Sequence, residues 1–433
     1  MKITLIGAGS TVFARNLIGD FLSEPLLREA SIVLQDIDEG RLRETEMMGR
    51  SLYQSMGLEP NLLATMDLRE SLRGADAVLF LFQVGGYKPC TVTDFQIPSA
   101  FGLRQTIGDT LGIGGIMRAL RTIPVLFHLC GEIEELCPDA LILNYVNPMA
   151  MNCMAIHQRF PHLKLLGLCH SVQETITKIT ADLGREGEEF NFLCAGINHM
   201  SFYLSIQDAG GHDLYPSLKE LADSENIPEN DLVRYEVLKH FGYFVTESSE
   251  HFAEYVPWFI KRNRGDLIDQ FQIPLDEYPR RCEEQIREWE KLRDEIMGGQ
   301  ATLEVTRSVE YAASILRAYL GDGSCEVNAN IGNQGFISEF PETACVEVPC
   351  KISFGRIEPY KIQGFPKHLK NLIQTNIGVQ ELAVKASLES RLDSVYHAAY
   401  LDPHTAAELS LEEIKNLVDS LIEAHGDWIP PLY

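Results

Sequence analysis

Basic residues are few in this sequence compared with acidic ones. Its 433 residues include 37 Lys and Arg against 62 Asp and Glu, which gives a formal net charge of −25. We therefore expect neither a nucleic acid nor an anionic membrane as a partner, because both would repel the chain. A small anionic substrate remains compatible with this net charge, since a local pocket can be positively charged in a protein that is negative overall.

The sequence also lacks signals for disulfide frameworks, export and membrane insertion. Its ten cysteines are scattered and include no CxxC motif. We expect no apolar run to be long enough to span a bilayer. Residues 1–6 already have the pattern of a strand, so no signal peptide is expected before the fold. These absences predict a cytoplasmic protein with reduced thiols.

Strand-like apolar segments alternate with helical segments in the first half of the chain. The predicted strands cover residues 2–6, 31–35, 77–82 and 140–144, and a helix is predicted over residues 13–22. This alternation is typical of an α/β protein with a parallel, doubly wound sheet.

From about residue 200 the pattern changes to long charged helices and short strands. We predict a helix over residues 275–296, short strands at 346–348 and 351–353, and a helical region over 371–425. No repeat or low-complexity linker is found.

These patterns predict two closely packed domains. Residues 1–195 are expected to form a Rossmann-like domain, and residues 196–433 an α+β domain that supplies substrate and metal ligands. The active site should lie at their interface, near the carboxyl ends of the parallel strands.

A glycine-rich turn follows the first predicted strand. Gly7 and Gly9 occupy the first two positions of a GxGxxG motif, and Ala14 stands one residue late for the third. Such glycines let the backbone approach a pyrophosphate at a helix N-terminus. Asp36 ends the second strand, where a carboxylate binds ribose hydroxyls and repels a 2′-phosphate. The pattern predicts NAD rather than NADP, bound by Gly7, Gly9, Ser10, Thr11 and Asp36. The alternative is a glycine turn that serves only helix–strand packing.

Two potential metal ligands stand at the ends of apolar, strand-like segments. Cys169 and His199 are thirty residues apart, and a thiolate with an imidazole forms a soft-to-borderline metal site. The alternative is a buried free cysteine and a hydrogen-bonded core histidine, since two distant ligands are not a coordination motif.

The segment over residues 242–255 concentrates acid–base groups. It holds three glutamates, a histidine and two tyrosines, with little hydrophobic periodicity. This composition favours a loop that lines a cleft. A solvated acidic helix face is the alternative, which Phe244, Phe252, Tyr255 and Trp258 disfavour.

Together these motifs resemble glycoside hydrolase family 4, the NAD- and metal-dependent glycosidases. The resemblance covers essentially the whole chain and rests on Gly7–Ser10, Asn144–Ala150, Leu168–Val172, Gly196–His199, Arg281 and Leu401–Thr405. It implies a nucleotide-binding domain like that of lactate and malate dehydrogenases.

Four segments are similar to the α-galactosidase, or melibiase, branch of that family. They are Cys169–Val172 and residues 105–110, 246–251 and 424–428. Members that act on phospho-sugars carry an arginine where this chain has Cys90, so the resemblance implies an unphosphorylated sugar. Lys88 nearby leaves an anionic sugar open.

The resemblance implies a mechanism that differs from paired-carboxylate hydrolysis. NAD⁺ takes a hydride from C3 of the sugar, and the ketone acidifies the C2 proton. A base removes that proton, the aglycone leaves, water adds, and NADH returns the hydride. A divalent ion, usually manganese in this family, would be held by Cys169 and His199 and stabilise the enediolate.

Further roles follow from the resemblance. His170 is implied as the proton donor, and Asp109 as a group near the reacting centre. Asn147, Arg281 and Cys90 are implied as substrate contacts. On the sequence alone, the alternatives are a helix cap for Asp109, a turn cap before Pro148 for Asn147 and a surface charge on a helix for Arg281.

The base that removes the C2 proton is left open. A gapless match to family members with a tyrosine base gives Ser248, which is a poor base. A shifted match gives Tyr255, and Glu247, Glu250 and His251 are further candidates.

The leading hypothesis is an NAD- and Mn-dependent α-galactosidase, with an α-galacturonidase as the nearest alternative. A plain NAD-dependent hydroxy-acid dehydrogenase and an NAD-sensing binding protein represent other classes. The resemblance also implies a homodimer or homotetramer.

Overall fold

One mixed sheet runs through the protein. The structure is a computed structural model that describes residues 1–297 and 303–433, apart from the side chains of Thr11 and Met297. In this part of the chain the strands are β1 Lys2–Ile6, β2 Ser31–Gln35, β3 Leu62–Thr65, β4 Ala77–Phe80, β5 Leu141–Asn144, β6 Lys164–Gly167, β7 Phe190–Ile197, β8 Met200–Asp208, β9 Cys325–Gly332, β10 Cys345–Ser353 and β11 Arg356–Pro359.

The first six strands form a parallel sheet in the order β3-β2-β1-β4-β5-β6. This is the strand order of dinucleotide-binding domains. Every residue of β4 and β5 is buried, as expected for strands covered by helices on both faces. The predicted α/β fold class is confirmed.

Helices connect and flank the strands. They are α1 Thr11–Ser23, α2 Glu39–Ser55, α3 Leu68–Leu72, α4 Val92–Ala100, α5 Gly112–Leu136, α6 Met149–Arg159, α7 Ser171–Asp182, α8 Tyr215–Ala222, α9 Leu232–Phe241, α10 Ser249–Ala253, α11 Gly265–Gln270, α12 Glu277–Met297, α13 Ala312–Tyr319, α14 Lys367–Glu389, α15 Leu392–Leu401, α16 Pro403–Glu408 and α17 Leu411–His425. The helices predicted for residues 13–22, 275–296 and 371–425 correspond to α1, α12 and α14–α17.

The later strands continue the same sheet. β6 pairs with β9 through Gly167 and Asn330, and β10, β7 and β8 follow in antiparallel order. β7 crosses the predicted boundary between residues 195 and 196. Both halves of the chain therefore share one sheet, and the position of the domain boundary stays a prediction.

The prediction of two short strands at residues 346–348 and 351–353 was wrong. β10 is one strand that pairs with β9 without interruption from Cys345 to Ile352. Pro349 lies between the two predicted segments and has no N–H to donate to a neighbouring strand. In the structure its carbonyl oxygen accepts the N–H of Tyr360, so the strand passes through the proline.

The expectation about apolar runs also needs correction. By length and composition alone, α5 is apolar enough to cross a membrane. Most of this helix is buried inside the fold, and its two buried arginines, Arg118 and Arg121, are engaged there with Asp109 and Asp94. The helix is thus part of the protein core.

Candidate active site

The two metal ligands predicted from the sequence lie side by side. Cys169 follows β6, and His199 lies in the tight turn between β7 and β8. The Cys169 Sγ atom is 3.3 Å from His199 Nε2. The shared sheet brings these distant residues together.

Glu247 completes this group. Its Oε2 atom is 3.1 Å from His199 Nε2 and 4.0 Å from Cys169 Sγ. The three potential ligand atoms all lie within 4.8 Å of one another. We call Cys169, His199 and Glu247 the metal triad, because three protein ligands with further positions open are typical of catalytic metal sites.

Two members of the metal triad have left-handed backbone conformations. His199 has a φ of 63° and Glu247 a φ of 67°. For non-glycine residues this conformation costs about 1–3 kcal/mol, and it persists where neighbouring groups enforce it. The Arg234 guanidinium donates to the Glu247 carbonyl oxygen and is itself paired with Asp231. These contacts aim the Glu247 carboxylate at the other two ligands.

Two tyrosines support the other ligands. The Tyr255 hydroxyl lies 3.1 Å from His199 Nδ1, the ring nitrogen that faces away from the metal triad. Such an outer contact fixes the orientation of a metal-binding imidazole. The Tyr311 hydroxyl accepts the N–H of Cys169 at 3.1 Å and lies 2.8 Å from the Cys169 carbonyl oxygen. Both ligands are thus held by buried phenols.

The protonation of the metal triad fits a bound cation. Burial acts to raise the pKa of Glu247, but His199 and His251 lower it to about 2. Burial raises the pKa of the Cys169 thiol to about 12, and Glu247 adds to this effect. A divalent cation reverses the thiol's shift because it stabilises the thiolate. The thiol, imidazole and carboxylate therefore suit a transition-metal ion.

His170 directly follows the cysteine ligand and lies between two carboxylates. Its Nδ1 atom is 3.2 Å from Glu310 Oε1, and its Nε2 atom is 3.6 Å from Glu174 Oε2. The hydrogen bond to Glu310 raises the pKa of His170 to about 10, against the opposing effect of burial. The imidazole is therefore protonated near neutral pH, as a proton donor requires.

Asp109 and Asn147 are joined in the structure. The Asn147 amide donates to Asp109 Oδ2 at 3.0 Å, and Arg118 Nη1 lies 3.2 Å from the same oxygen. Burial would raise the pKa of Asp109, but Arg118 outweighs it, with help from His251 and His199, and keeps that pKa low. Neither residue caps a helix, since α5 follows Leu111 and α6 follows Pro148.

The segment over residues 242–255 is not one continuous loop, because it contains α10. His251, Phe252 and Ala253 are buried there, so a solvated acidic helix face is ruled out. Glu250 pairs with Arg281 of α12 at 2.6 Å. Ser248 Oγ is buried and makes no hydrogen bond to the described residues. Ser248 and Arg281 line a common cavity of about 320 Å³.

The glycine turn has the predicted form. Gly7 has a φ of 82°, and a Cβ there would come within 2.5 Å of Phe82 Cβ. The N–H of Gly9 donates to Asp36 Oδ2 at 2.7 Å. The acidic residue at the end of β2 therefore contacts the turn that opens α1, next to Ser10. The side chain of Thr11, also predicted to bind the cofactor, lies outside the described residues.

Cys90 lies in a tight bend before α4. The side chain is fully buried and packs so closely on Gly85 that a Cβ at Gly85 would lie 2.1 Å from its Sγ atom. Burial raises the pKa of this thiol, although Arg121 opposes the effect. Cys90 is therefore a neutral group, and direct contact with a substrate remains a prediction.

Comparison with known proteins now identifies the family. Residues 2–185 match the model of family 4 glycosyl hydrolases, and residues 194–405 match the model of their C-terminal domain. The chain belongs to the family 4 glycosyl hydrolases. An alpha-galactosidase of Bacillus subtilis (strain 168) is 46% identical over 430 residues, covering 99% of each chain.

Solved structures share the fold of this family 4 glycosyl hydrolase. A putative glucosidase, lplD, from Bacillus subtilis superposes with a TM-score of 0.85 at 24% identity, covering 97% of this chain and 99% of the other. A 6-phospho-alpha-glucosidase from gut microorganisms, in complex with NAD and Mn²⁺, has a TM-score of 0.82 at 20% identity, covering 100% and 99%.

Sequence reasoning missed several groups of this glycosidase site. Glu247 was considered only as a base, whereas its carboxylate stands with the metal ligands. Tyr311, Glu310 and Arg118 were not considered. The density of polar groups around Glu247 was a usable signal, but no local pattern marks the other three, which reach the site only through tertiary packing.

Proposed function

We propose that this family 4 glycosyl hydrolase is an NAD- and Mn²⁺-dependent α-galactosidase that acts on terminal, melibiose-type α-galactosides. The observation that carries the proposal is the metal triad, because its open arrangement suits a substrate with adjacent hydroxyls. The full-length similarity to an alpha-galactosidase supports the choice of sugar.

Bound NAD would accept and return a hydride, and a bound divalent ion would supply Lewis acidity to the sugar oxygens. The glycine turn and Asp36 would hold NAD, and the metal triad would hold the divalent ion. The NAD and Mn²⁺ complex of a solved structure with the same fold supports both cofactors.

The polar residues around the metal triad have distinct proposed tasks. Asn147 and Asp109 present a joined amide and carboxylate, which together donate to and accept from sugar hydroxyls. His170 would give a proton to the departing glycosidic oxygen, and Glu310 keeps it charged. Arg281 would orient the substrate through Nη1, since Nη2 is engaged by Glu250 and Nε by Glu277.

His251 is our choice for the base that removes the C2 proton. The Tyr255 hydroxyl contacts His199, the Glu247 carboxylate faces the metal ligands, and Glu250 pairs with Arg281. His251 Nε2 is buried without a hydrogen-bond partner in the described residues, and Nδ1 lies 3.4 Å from Glu247 Oε1. The ring centre of His251 is 4.9 Å from that of His199, so the imidazole stands beside the metal triad with Nε2 available to accept a proton.

An uncharged sugar is favoured by the bend around Cys90. The residue that replaces the phosphate-binding arginine of phospho-sugar members is a buried neutral thiol. The nearby guanidinium of Arg121 is engaged with Asp94, and that of Arg118 with Asp109. These pairings neutralise the two buried guanidiniums. Lys88 remains a cation near the bend, so a uronate is the alternative that the substrate assay has to test.

The proposal is tested by product release from melibiose and nitrophenyl α-galactoside with NAD⁺, Mn²⁺ and a thiol. We expect turnover that requires both cofactors, without net accumulation of NADH. Product release from a galacturonide but not from the galactosides would show that the enzyme is an α-galacturonidase. Steady NADH formation from a hydroxy acid, without glycoside cleavage, would instead indicate a dehydrogenase.

The role of His251 is tested by the fate of the C2 hydrogen. In D₂O, wild-type enzyme should place deuterium at C2 of the released sugar. His251→Gln should lose C2 exchange while hydride transfer at C3, followed through bound NADH, persists. If, at saturating Mn²⁺, Tyr255→Phe rather than His251→Gln abolishes exchange, the base is Tyr255.

We also propose a cytoplasmic homodimer or homotetramer, with no nucleic acid or membrane partner. The strongly acidic composition supports the last point. Sedimentation of the purified enzyme tests the assembly, and a monomer at micromolar concentration would contradict it.

A further inference from the structure

A second cavity, of about 330 Å³, lies away from the metal triad. Its wall includes Arg104, Lys261 and Arg262 on one side and His404 and Glu408 of α16 on another. It contains none of the residues assigned above to the metal, the cofactor or the sugar. Apolar side chains complete the wall, namely Ile260, Ile268 and Leu275.

Two buried groups of this cavity lack hydrogen-bond partners in the described part of the chain. His404 is only 3% exposed, and its Nε2 atom makes no hydrogen bond. The Nε atom of Arg104 is also buried and unpartnered. Since buried polar atoms almost always have partners, such atoms beside a cavity indicate an absent ligand or water.

The unpartnered donors of the cavity wall favour an anion. The wall carries three cationic side chains and one carboxylate, Glu408, and acids just outside it pair with the two arginines, so the selection rests on free donors and not on net charge. Glu408 is engaged by Lys261 and by the backbone N–H of Arg262. Burial lowers the pKa of His404 to about 4, and Lys261 adds to this, so the ring is neutral and has one N–H to donate.

Acids outside the wall hold two of the cations in place. Arg104 Nη2 is 2.5 Å from Asp276, and Arg262 Nη2 is 3.1 Å from Glu413. These contacts leave the Arg104 Nε–H free. The cations are thus positioned before any ligand arrives, which lowers the cost of binding. The Arg104 Nε–H can only donate, so its partner in the cavity must supply an acceptor oxygen.

The cavity also adjoins the loop that carries Asp109. Arg104 directly precedes this loop, and the carbonyl oxygens of Gln105 and Thr106 accept the N–H groups of Asp276 and Tyr278. A ligand bonded to Arg104 would therefore contact the residue at the start of a catalytic loop.

We propose that this cavity is a binding site for a small oxyanion, the phosphate or carboxylate group of a metabolite with a compact apolar part. The anion accepts from His404 and Arg104 and lies near Lys261. The site is separate from the sugar site and does not depend on which glycoside is cleaved.

Calorimetric titration of the full chain tests the site, with inorganic phosphate and malonate as separate probes. We expect saturable binding of at least one probe at one site per chain, and the stronger probe identifies the anion class. His404→Asn and Arg104→Met should each weaken binding about tenfold or more, as the loss of a charge-assisted hydrogen bond predicts. Arg287→Met, which removes an exposed cation from α12, should leave the affinity unchanged.

Thermal unfolding of the wild type and His404→Asn provides a second test if Arg104→Met folds poorly. The bound probe should raise the melting temperature of the wild type but not that of His404→Asn. No saturable binding of either probe to the wild type would mean that the cavity holds only water, and would overturn the proposal. Equal affinity in the wild type and His404→Asn would also overturn it, because the anion would then bind elsewhere.

Discussion

The buried carboxylate of Glu254 accepts the backbone N–H of Gly108 at 2.7 Å. It also accepts the N–H of Thr106 at 2.8 Å, so one side chain holds the loop that leads to Asp109. Burial raises the pKa of Glu254 to about 7, and these hydrogen bonds oppose the rise without cancelling it. The loop is therefore held by a group that titrates near neutral pH.

The titration of Glu254 should make stability depend on pH. Its pKa rises from 4.5 in the unfolded chain to about 7 in the fold, so the native state keeps a proton that the unfolded chain loses. The contribution of this group to stability must then fall as pH rises through that window. Relative to Glu254→Gln, wild type should lose about 2–3 kcal/mol of unfolding free energy between pH 5 and pH 8.

Urea unfolding of both proteins at the two pH values measures this difference. Glu288→Gln on the exposed face of α12 serves as the control and should follow the wild type. Parallel pH profiles for wild type and Glu254→Gln would show that the carboxyl does not titrate in the expected range.

Replacement of a triad ligand should weaken manganese binding. Cys169→Ser removes the thiolate, and we expect at least tenfold weaker Mn²⁺ binding together with loss of metal-dependent turnover. Glu247→Gln should also weaken Mn²⁺ binding, since the carboxylate charge is lost. Equilibrium dialysis with Mn²⁺ gives the affinity directly. Cys325→Ser at the start of β9 is the matched control, and full Mn²⁺ affinity in Glu247→Gln would remove Glu247 from the ligand set.

Tyr255 should strengthen metal binding through its contact with His199. Tyr255→Phe keeps the ring but removes the hydroxyl that lies 3.1 Å from His199 Nδ1. We expect 10- to 100-fold weaker Mn²⁺ binding, the range found for lost outer contacts of metal-binding histidines. Added Mn²⁺ should restore most of the turnover. A variant that binds Mn²⁺ normally yet fails to turn over at saturating metal would assign Tyr255 to the chemical step instead.

The contribution of His170 to turnover should be largest for substrates with poor leaving groups. His170→Asn cannot donate a proton, so melibiose should slow more than nitrophenyl α-galactoside, whose aglycone leaves without protonation. The ratio of kcat/KM values for the two substrates measures the effect. Equal slowing of both would remove His170 from the acid role.

The nucleotide-binding part of the fold was predictable because the sequence patterns that mark it are local. A strand, a Gly7–Gly9 turn, a helix and an acid at Asp36 follow one another within a short stretch, and hydrophobic patterning places each of them. The metal half was predictable only in part. Cys169 and His199 were recognised as potential ligands at the ends of strand-like segments. Their joint role rested on resemblance to a family, since nothing in their spacing shows that β6 and β7 belong to one sheet.

Other features depend on tertiary contacts that a sequence does not display. Glu247 lies beside Cys169 and His199 with its backbone in a left-handed conformation, which contacts with Arg234 support and no propensity favours for glutamate. Pro349 lies inside β10, where its carbonyl oxygen accepts the N–H of Tyr360 from the following segment. The cavity beside His404 joins positions as distant as Arg104 and Glu408.

The continuous sheet has a mechanical consequence. Because β6 pairs with β9 through Gly167 and Asn330, the nucleotide turn and the metal triad stand on one continuous sheet, which opposes opening of the cleft by a hinge between two separate bodies. Entry of a glycoside and exit of its products must then be governed by the segments that rise above the sheet, such as α10 and α12. The same continuity means that residues 1–195 expressed alone would leave the β6 edge unpaired, so such a fragment should self-associate.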